Sequence, residues 1–300
     1  MHERLNASLI FPTDPEEVFR EVRQVALELD PAPALKPLET AWQDTLRLFS
    51  GRFPGYQASK TRYHDLGHTL AVVLATARLL HGARLAGLAL GAEMLLLGLI
   101  CALFHDAGLI QKQEEQGGTG ARFTLGHEER SIHFLKAYLD ERDLLSSCRA
   151  DCAHIIGCTI LALDPAEIPF RSEESRLAGR ILGSADLIAQ MADRLYLEKL
   201  LYLYREFEEG GVPGFTSEFD LLRKTTSFYR NVSRQRLEKD LGNVTSYLRL
   251  HFQKRFGEER DFYQEGIDKN IHYLEDTVLK YETDYRRMLR RAGIVAELAE

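Results

Sequence analysis

Apolar residues recur along most of the chain at the three- and four-residue spacing of amphipathic helices, and no convincing strand pattern interrupts them. Residues 13–17 read TDPEE, a capping residue followed by a proline and two acids, which is typical of a helix start. An apolar stripe follows over residues 18–29. The prolines within residues 31–37 then break the chain before a second helix, predicted over residues 38–49.

The most apolar segment is residues 94–104, which carry no charge and no strong polar group. Its eleven residues are about half of what a bilayer crossing needs, so the segment predicts a helix buried in a soluble core. Further helices are predicted over residues 68–80, from Gly126 onward, and as one long helix over residues 175–208.

The segment GGVPG at residues 210–214 is the clearest break in the chain, and helical, aromatic and strongly charged sequence follows it. We therefore predict an all-α protein with two parts. Residues 1–209 form a core domain that includes the N-terminal helices, and residues 210–300 form a helical C-terminal extension that packs on the core. Three hundred residues are ample for a buried core.

The pair His105-Asp106 closes the apolar segment, where two polar side chains are costly to bury without a partner. Neutral imidazole and ionised carboxylate are ordinary ligands of divalent metals, so a bound cation would compensate that cost. His64 and His68 are four residues apart, share a face if their segment is helical, and could both meet the pair. Four metal-type residues in this arrangement favour a metal site over isolated surface histidines.

Three later residues extend the candidate site. Asp186 lies among apolar positions of the long predicted helix and shares a helical face with Gln190 and Asp193, which indicates a ligand with supporting hydrogen bonds. His127 lies beside the apolar face of its helix, whereas His154 falls off the apolar stripe. For both histidines an ordinary structural role is the alternative.

The ordered set resembles the HD superfamily of metal-dependent phosphohydrolases, whose skeleton is a His, a His-Asp doublet and a distant Asp. The resemblance covers about residues 40–200, and the matching residues are His68, His105, Asp106 and Asp186. The opening Tyr63-His64-x-x-x-His68 is similar to that of cyclic nucleotide phosphodiesterases. This chain has Ala-Gly-Leu-Ile at residues 107–110 where those enzymes carry another histidine, and Leu109 where the HD-GYP enzymes carry a lysine.

The resemblance implies an HD-domain-like helical bundle that hydrolyses a phosphoester, a nucleotide or cyclic nucleotide, with metal-activated water. It implies a first divalent ion held by His68, His105, Asp106 and Asp186. Asp106 would have a catalytic role as well. It would also bridge to a second ion, if His127 and His154 complete the site of that ion.

His64 would protonate the leaving alkoxide, as its counterpart does in the resembled phosphodiesterases. The candidates for steadying phosphate oxygens are Lys60, Arg62 and Arg194. The ligands do not select sharply among iron, manganese, zinc and magnesium, and either one or two ions fit the set.

Two other functions stay open. The HD scaffold in its two-metal form also hosts di-iron oxygenases, and the same histidines would serve there. A non-catalytic module would instead bind a metal or nucleotide and transmit a signal through the C-terminal helices.

Composition and charge restrict the classes of partner that we expect the protein to bind. Thirty-eight basic and 45 acidic residues give a net charge of −7, which argues against nonspecific nucleic-acid binding. No window reaches membrane length, the N-terminal residues lack an apolar signal core, and the four cysteines fit reduced thiols better than a disulfide framework. We therefore expect a cytoplasmic protein with a small phosphorylated substrate and no membrane partner, and a homodimer is left open.

Three further features each allow two interpretations. Cys148, Cys152 and His154 offer no second ligand pair, which favours buried thiols over a zinc site. The glycine-rich residues 113–121 form either a flexible connector or a lid over the site. Residues 223–256 carry nine basic and two acidic side chains, either as a solvated face or as a basic wall that draws an anionic substrate.

Overall fold

The computed structural model describes residues 11–29, 35–88 and 90–298. This part of the chain contains 13 α-helices and no β-strand, so the predicted all-α class is confirmed. The seven helices of the first two thirds are α1 (Pro15–Leu29), α2 (Lys36–Phe49), α3 (Leu66–Leu85), α4 (Ala92–Phe104), α5 (His127–Glu141), α6 (Cys152–Gly157) and α7 (Glu173–Ala192). The other six are α8 (Tyr196–Gly210), α9 (Glu218–Phe228), α10 (Leu248–Phe256), α11 (Phe262–Asp276), α12 (Tyr285–Met288) and α13 (Ile294–Glu297).

Short helical turns connect these helices. The 3₁₀ turns are Ala107–Leu109, Gly120–Phe123, Arg149–Asp151, Pro165–Glu167, Val244–Tyr247 and Val278–Lys280. Two π-helical turns follow α9, at Tyr229–Ser233 and Arg236–Asp240.

Helix α4 is the central element of the core. It packs against α2, α3, α6 and α7, and every residue from Met94 to Phe104 is buried. The prediction that no window reaches membrane length is wrong, because the window Ala92–Leu109 is long and apolar enough to cross a membrane; 89% of it is buried inside the protein. The prediction of a buried helix is therefore confirmed, because neighbouring helices cover this apolar segment.

Side-chain caps explain where several helices begin. The Asp14 carboxylate accepts hydrogen bonds from the backbone N–H groups of Glu16 and Glu17 (3.0 and 3.1 Å), as the predicted helix start requires. Asp65 accepts from the N–H of His68 (2.8 Å) and so begins α3 two residues before the predicted start. The same cap fixes His68 in the first turn of α3, next to the site.

The single long helix predicted over residues 175–208 is wrong. Asp193 leaves the helical conformation, its Oδ1 accepts from the N–H of Leu195 (2.8 Å), and its Oδ2 lies 2.7 Å from Lys199 Nζ. The local hydrogen bond competes with the helix and separates α7 from α8. Helix α3 also runs five residues beyond its predicted end at Leu80. The predicted break at Pro31 and Pro33, and the N-terminal residues 1–10, lie outside the described residues.

The C-terminal helices pack on α3 and α7. The Asn270 side-chain amide donates to the carbonyls of Met191 and Asp193 (2.9 and 2.8 Å), which are left free where α7 ends. At Gly82 of α3, a Cβ atom would meet the carbonyl oxygen of Tyr247 at 2.0 Å. The absence of a side chain therefore lets the 3₁₀ turn before α10 approach the α3 backbone.

Seven of the nine basic residues in 223–256 are exposed, as expected for a solvated face, and two arginines are used inside the fold. The Arg236 side chain is 5% exposed and donates to the carbonyls of Cys158, Ile160, Leu161 and Leu163 at 2.7 to 3.4 Å. Its planar group thereby holds the turn at residues 158–163. Arg255 pairs with Glu21 and Glu28 of α1. These arginines stabilise the fold, which neither interpretation of the basic run included.

Replacing Arg236 with alanine is expected to lower the free energy of unfolding by about 3 kcal/mol, because four carbonyls lose their charged donor. Urea denaturation followed by circular dichroism measures the change. Arg234→Ala is the matched control, since Arg234 is 54% exposed and pairs with Glu238 on the surface. The control should change stability by no more than about 0.5 kcal/mol. Equal effects of the two variants would contradict the structural role of Arg236.

Candidate metal centre

His68, His105 and Asp106 converge at the ends of α3 and α4. All three are buried, and their potential ligand atoms lie within 4.8 Å of one another. Nε2 of His68 and Nε2 of His105 lie 3.3 and 3.2 Å from Oδ2 of Asp106. The two Nε2 atoms are 3.4 Å apart. This group could hold a metal ion.

Asp186 of α7 faces the same group. Its Oδ1 lies 3.2 Å from Nε2 of His68 and 3.8 Å from Nε2 of His105. Its backbone carbonyl accepts from the Gln190 side chain (3.2 Å), and Gln190 in turn accepts from the hydroxyl of Tyr63 (2.6 Å). Asp186 and Gln190 thus lie together at the site, whereas Asp193 lies beyond the end of α7.

His127, the first residue of α5, approaches the other oxygen of Asp106. Its Nε2 lies 3.3 Å from Oδ1, so the two oxygens of Asp106 face different imidazoles. Gly108 permits this approach, because a Cβ atom there would meet the carbonyl oxygen of His127 at 2.0 Å. The missing side chain of Gly108 thus allows close contact between the doublet segment and α5.

Backbone carbonyls orient two of the imidazoles. Nδ1 of His105 lies 2.9 Å from the carbonyl oxygen of Ala102, and Nδ1 of His127 lies 2.7 Å from that of Thr124. A carbonyl only accepts, so each Nδ1 carries the hydrogen. In the neutral ring the lone pair is then on Nε2, which points to Asp106 as a metal ligand requires.

The imidazoles and carboxylates of the group shift one another's pKa values. Burial lowers the pKa of His68, but the carboxylates of Asp106 and Asp186 outweigh it and raise the pKa to about 10. Burial also lowers the pKa of His127, but the carboxylate of Asp106 outweighs that effect and raises the pKa to about 9. Burial raises the pKa of Asp106, yet the three imidazoles hold it well below its usual range.

The donor set fits a divalent cation. Oδ2 of Asp106 is buried and has no hydrogen-bond partner among the described residues, although it faces two imidazole nitrogens. A buried carboxylate oxygen without a donor is costly, and a cation bound between these atoms removes that cost. Imidazole nitrogens with carboxylate oxygens suit zinc, iron and manganese, and carboxylates also suit magnesium.

His64 lies beside the group without being part of it. Its ring centre is 5.8 Å from that of His68 and 6.0 Å from that of His127. Its Nδ1 lies 2.7 Å from Oε2 of Glu206 in α8. Oε1 of Glu206 accepts from the backbone N–H groups of Arg62 and Tyr63 (2.8 and 2.7 Å).

Glu206 is thereby held as a carboxylate. Burial raises its pKa, but His64 and the two backbone donors outweigh that effect and leave the pKa below its usual range. Its other oxygen anchors the imidazole of His64. The pair forms a histidine–carboxylate dyad at the edge of the metal group.

Four of the predicted site residues make their contacts elsewhere. Nδ1 of His154 lies 3.8 Å from Asp151, and its ring packs beside Phe170. The exposed Lys60 donates to Gln57 (3.1 Å), and the exposed Arg62 pairs with Glu297 and contacts Tyr202. Arg194 is exposed as well. The cavity described next does not include these four in its lining.

A cavity of about 500 Å³ opens on the group. At one end it is lined by His64, Asp106, His127, Glu128 and Asp186, and its other walls come from α7, α8, α9 and the segments between the helices. Lys224 is the one member of the basic run in this lining. Its Nζ is bonded to Asp220 and to the carbonyl of Gly214 (2.7 and 2.6 Å), so a basic wall around the site is not present in the described part.

A larger cavity of about 660 Å³ lies on the other side of the doublet segment, against Ala107 and Gly108. Its lining contains none of the five residues that approach one another at the site, and its arginines are paired with carboxylates. Arg130 binds Glu115 through two hydrogen bonds of 3.0 Å, and Arg142 binds Asp44 (3.1 Å). The smaller cavity therefore holds the candidate chemistry.

The glycine-rich segment at residues 113–121 is tied down and does not line the 500 Å³ cavity. Gln57 donates to the carbonyl of Glu115 (2.8 Å), Arg122 to that of Gln116 (2.8 Å), and the Thr119 hydroxyl to Glu209 (2.8 Å). These contacts are those of an anchored connector rather than of a lid.

All four cysteines are buried free thiols, with no zinc cluster among them in the described residues.

Sequence reasoning missed Glu206 and the apolar part of the cavity. Glu206 lies 142 positions after His64, and nothing local marks it beyond an acid in a helix with aromatic neighbours. A charged residue at a buried helical phase, beside Tyr202 and Leu203, is the signal that could have found it.

Comparison with known proteins gives one match. A profile of the family described as Npun_R2479-like matches residues 111–255, which is less than half of the chain. The matched segment includes His127, Asp186 and Glu206. It does not include His64, His68 or the His105-Asp106 doublet. No curated protein and no solved structure matches the chain. The resemblance to the HD superfamily therefore stays a prediction from the residues.

The role of His127 can be tested against His133, an exposed histidine on the same helix whose Nδ1 contacts the carbonyl of Glu129. His127→Ala should lower the metal-to-protein ratio of the purified protein while leaving one ion bound by the other residues. His133→Ala should leave the ratio at the wild-type value. Elemental analysis by mass spectrometry gives both numbers. An unchanged ratio in His127→Ala would contradict a role for His127 as a ligand.

Proposed function

We propose that the protein is a metal-dependent phosphohydrolase of the HD type, acting on a phosphoester in the 500 Å³ cavity. The observation that carries this proposal is the dyad of His64 and Glu206 beside a group that could hold a metal ion. A buried carboxylate that fixes a histidine at the mouth of such a group is the arrangement that general acid catalysis needs. A purely structural metal site needs no such dyad.

His68, His105, Asp106 and Asp186 would hold one divalent ion, and His127 with Asp106 would contribute to a second. When bound, a divalent cation supplies a water of lowered pKa and neutralises charge on a phosphoryl group. Asp106 and Asp186 balance the positive charge of the site. The nearby Tyr63 hydroxyl holds Gln190, which in turn contacts the backbone of Asp186. Iron, manganese, zinc and magnesium all remain candidates for the ion.

His64 would deliver the proton to the leaving oxygen. The carboxylate of Glu206 accepts the Nδ1–H, which leaves Nε2 as the atom that can give a proton towards the cavity. The same carboxylate stabilises the imidazolium form from which the proton is given. Because Glu206 is itself anchored by two backbone donors, the ring is held in one orientation.

An oxygenase is the second candidate, and one observation favours it. Most of the cavity wall is apolar, and its one basic residue is already paired, which suits a substrate oxidised at a C–H bond as well as an ester. Consumption of dioxygen distinguishes this function from hydrolysis. The free thiols support the proposal of a reducing, cytoplasmic location for either enzyme.

Replacing His64 with asparagine tests the hydrolase. Cleavage of an alkyl phosphoester should slow by about 10² to 10⁴-fold, because its alkoxide leaves only with a proton. Cleavage of a nitrophenyl phosphoester should slow much less, because that leaving group needs no proton. Metal content and the circular dichroism spectrum should stay at wild-type values.

Equal loss on the two esters would contradict the proton-donor role. Dioxygen consumption without release of phosphate by the wild-type protein would replace the hydrolase with the oxygenase.

A further inference from the structure

The cavity is divided into a polar end and an apolar remainder. The polar end holds His64, the carboxylates and His127. The apolar remainder is lined by side chains from three helices, α7, α8 and α9, and from connections between helices, among them Leu187, Leu200, Leu203, Leu221 and Phe228. Phe207 and Phe215 stack there with ring centres 5.2 Å apart. A surface of this kind gains free energy by removing apolar groups of a ligand from water.

The threonines that interrupt this wall have their donors in use. The hydroxyl of Thr124 donates to the carbonyl of Ala121 (2.6 Å). The hydroxyl of Thr159 donates to the carbonyl of Ile156 (2.8 Å), and that of Thr225 donates to the carbonyl one turn earlier (2.9 Å). None of the three has a hydrogen left to offer to a ligand without breaking a bond inside the protein.

The remaining amide and ammonium groups are also engaged. The Gln190 oxygen accepts from Tyr63, and its nitrogen donates to the carbonyl of Asp186. The ammonium of Lys224 donates hydrogen bonds to the Asp220 carboxylate and to the carbonyl of Gly214. Within the described residues, the Tyr196 hydroxyl is the one hydroxyl of this lining left without a hydrogen-bond partner. A nucleobase or sugar placed against these walls would therefore lose several hydrogen bonds to water and regain few, which is costly.

We propose that the substrate is an amphiphile: a phosphate monoester of a linear aliphatic alcohol, with the phosphate at the metal group and the hydrocarbon chain along the apolar wall. This inference rests on the proposed function for the position of the phosphate. It replaces the nucleotide that the resemblance implies. The volume of about 500 Å³ lies within the range of sites that enclose a whole small ligand.

The wild-type protein, as purified with its metal, provides the first test. Binding of ethyl-, butyl-, hexyl- and octylphosphonate is measured by calorimetry, since phosphonates keep the anionic head and cannot be hydrolysed as esters. Each added methylene should tighten Kd by about threefold to fourfold until the wall is covered. Adenosine monophosphate should bind no tighter than ethylphosphonate.

The second test uses turnover of the matching alkyl phosphates. The ratio of kcat/KM for octyl phosphate to that for ethyl phosphate should be at least about 10²-fold in the wild type. Leu203→Trp fills part of the apolar wall and should reduce this ratio by about tenfold or more. Arg205→Trp, at an exposed position on the same helix, should leave the ratio unchanged.

The two proposals fail in different ways. A Kd that falls with chain length, without release of phosphate from any ester, would overturn the hydrolase and support the apolar ligand class. Hydrolysis with no dependence on chain length, or tighter binding of adenosine monophosphate than of octylphosphonate, would overturn the amphiphile and support the hydrolase. The series on the wild type decides both points even if Leu203→Trp does not fold.

Discussion

The carboxylate of Asp106 is the group on which the site depends. It is buried at the end of the most apolar helix of the protein, with one oxygen towards His68 and His105 and the other towards His127. Burial alone would favour its neutral form, yet three imidazoles keep its pKa well below the usual range. Such a concentration of buried polar groups is stable only when each has a partner, and a bound divalent cation would supply the one that Oδ2 lacks among the described residues.

The surrounding fold can be understood as the support for this arrangement. Asp65 caps α3 and fixes His68 in its first turn, while the apolar face of α4 fixes the doublet. Gly108 allows α5 to approach so closely that His127 reaches Asp106. The C-terminal helices pack over α3 and α7, and α9 completes the apolar wall of the cavity. One end of that cavity is charged and the other apolar, which is the division that an amphiphilic ligand requires.

The sequence predicted the helical class and the buried helix because both follow from local periodicity. It also predicted that His68, His105, Asp106, Asp186 and His127 would lie together. It added His154 to this set, and that residue lies beside Asp151 and Phe170 instead. Features that depend on long-range packing were not predictable. Glu206 reaches His64 from α8 only because α7 ends at Asp193, where a side chain competes with the helix. Charge alone suggested Lys60, Arg62 and Arg194, and each of them lies on the exposed surface instead.

Binding of a divalent metal by the buried imidazoles and carboxylates can be measured by elemental analysis of the wild-type protein and of Asp106→Asn, which keeps the size of the side chain and removes its charge. We expect one or two equivalents of a divalent metal in the wild type, and a loss of nearly all of it in the variant with the helical content unchanged. Full metal content in a folded Asp106→Asn protein, or a wild type that binds no divalent metal under any loading condition, would contradict the metal site.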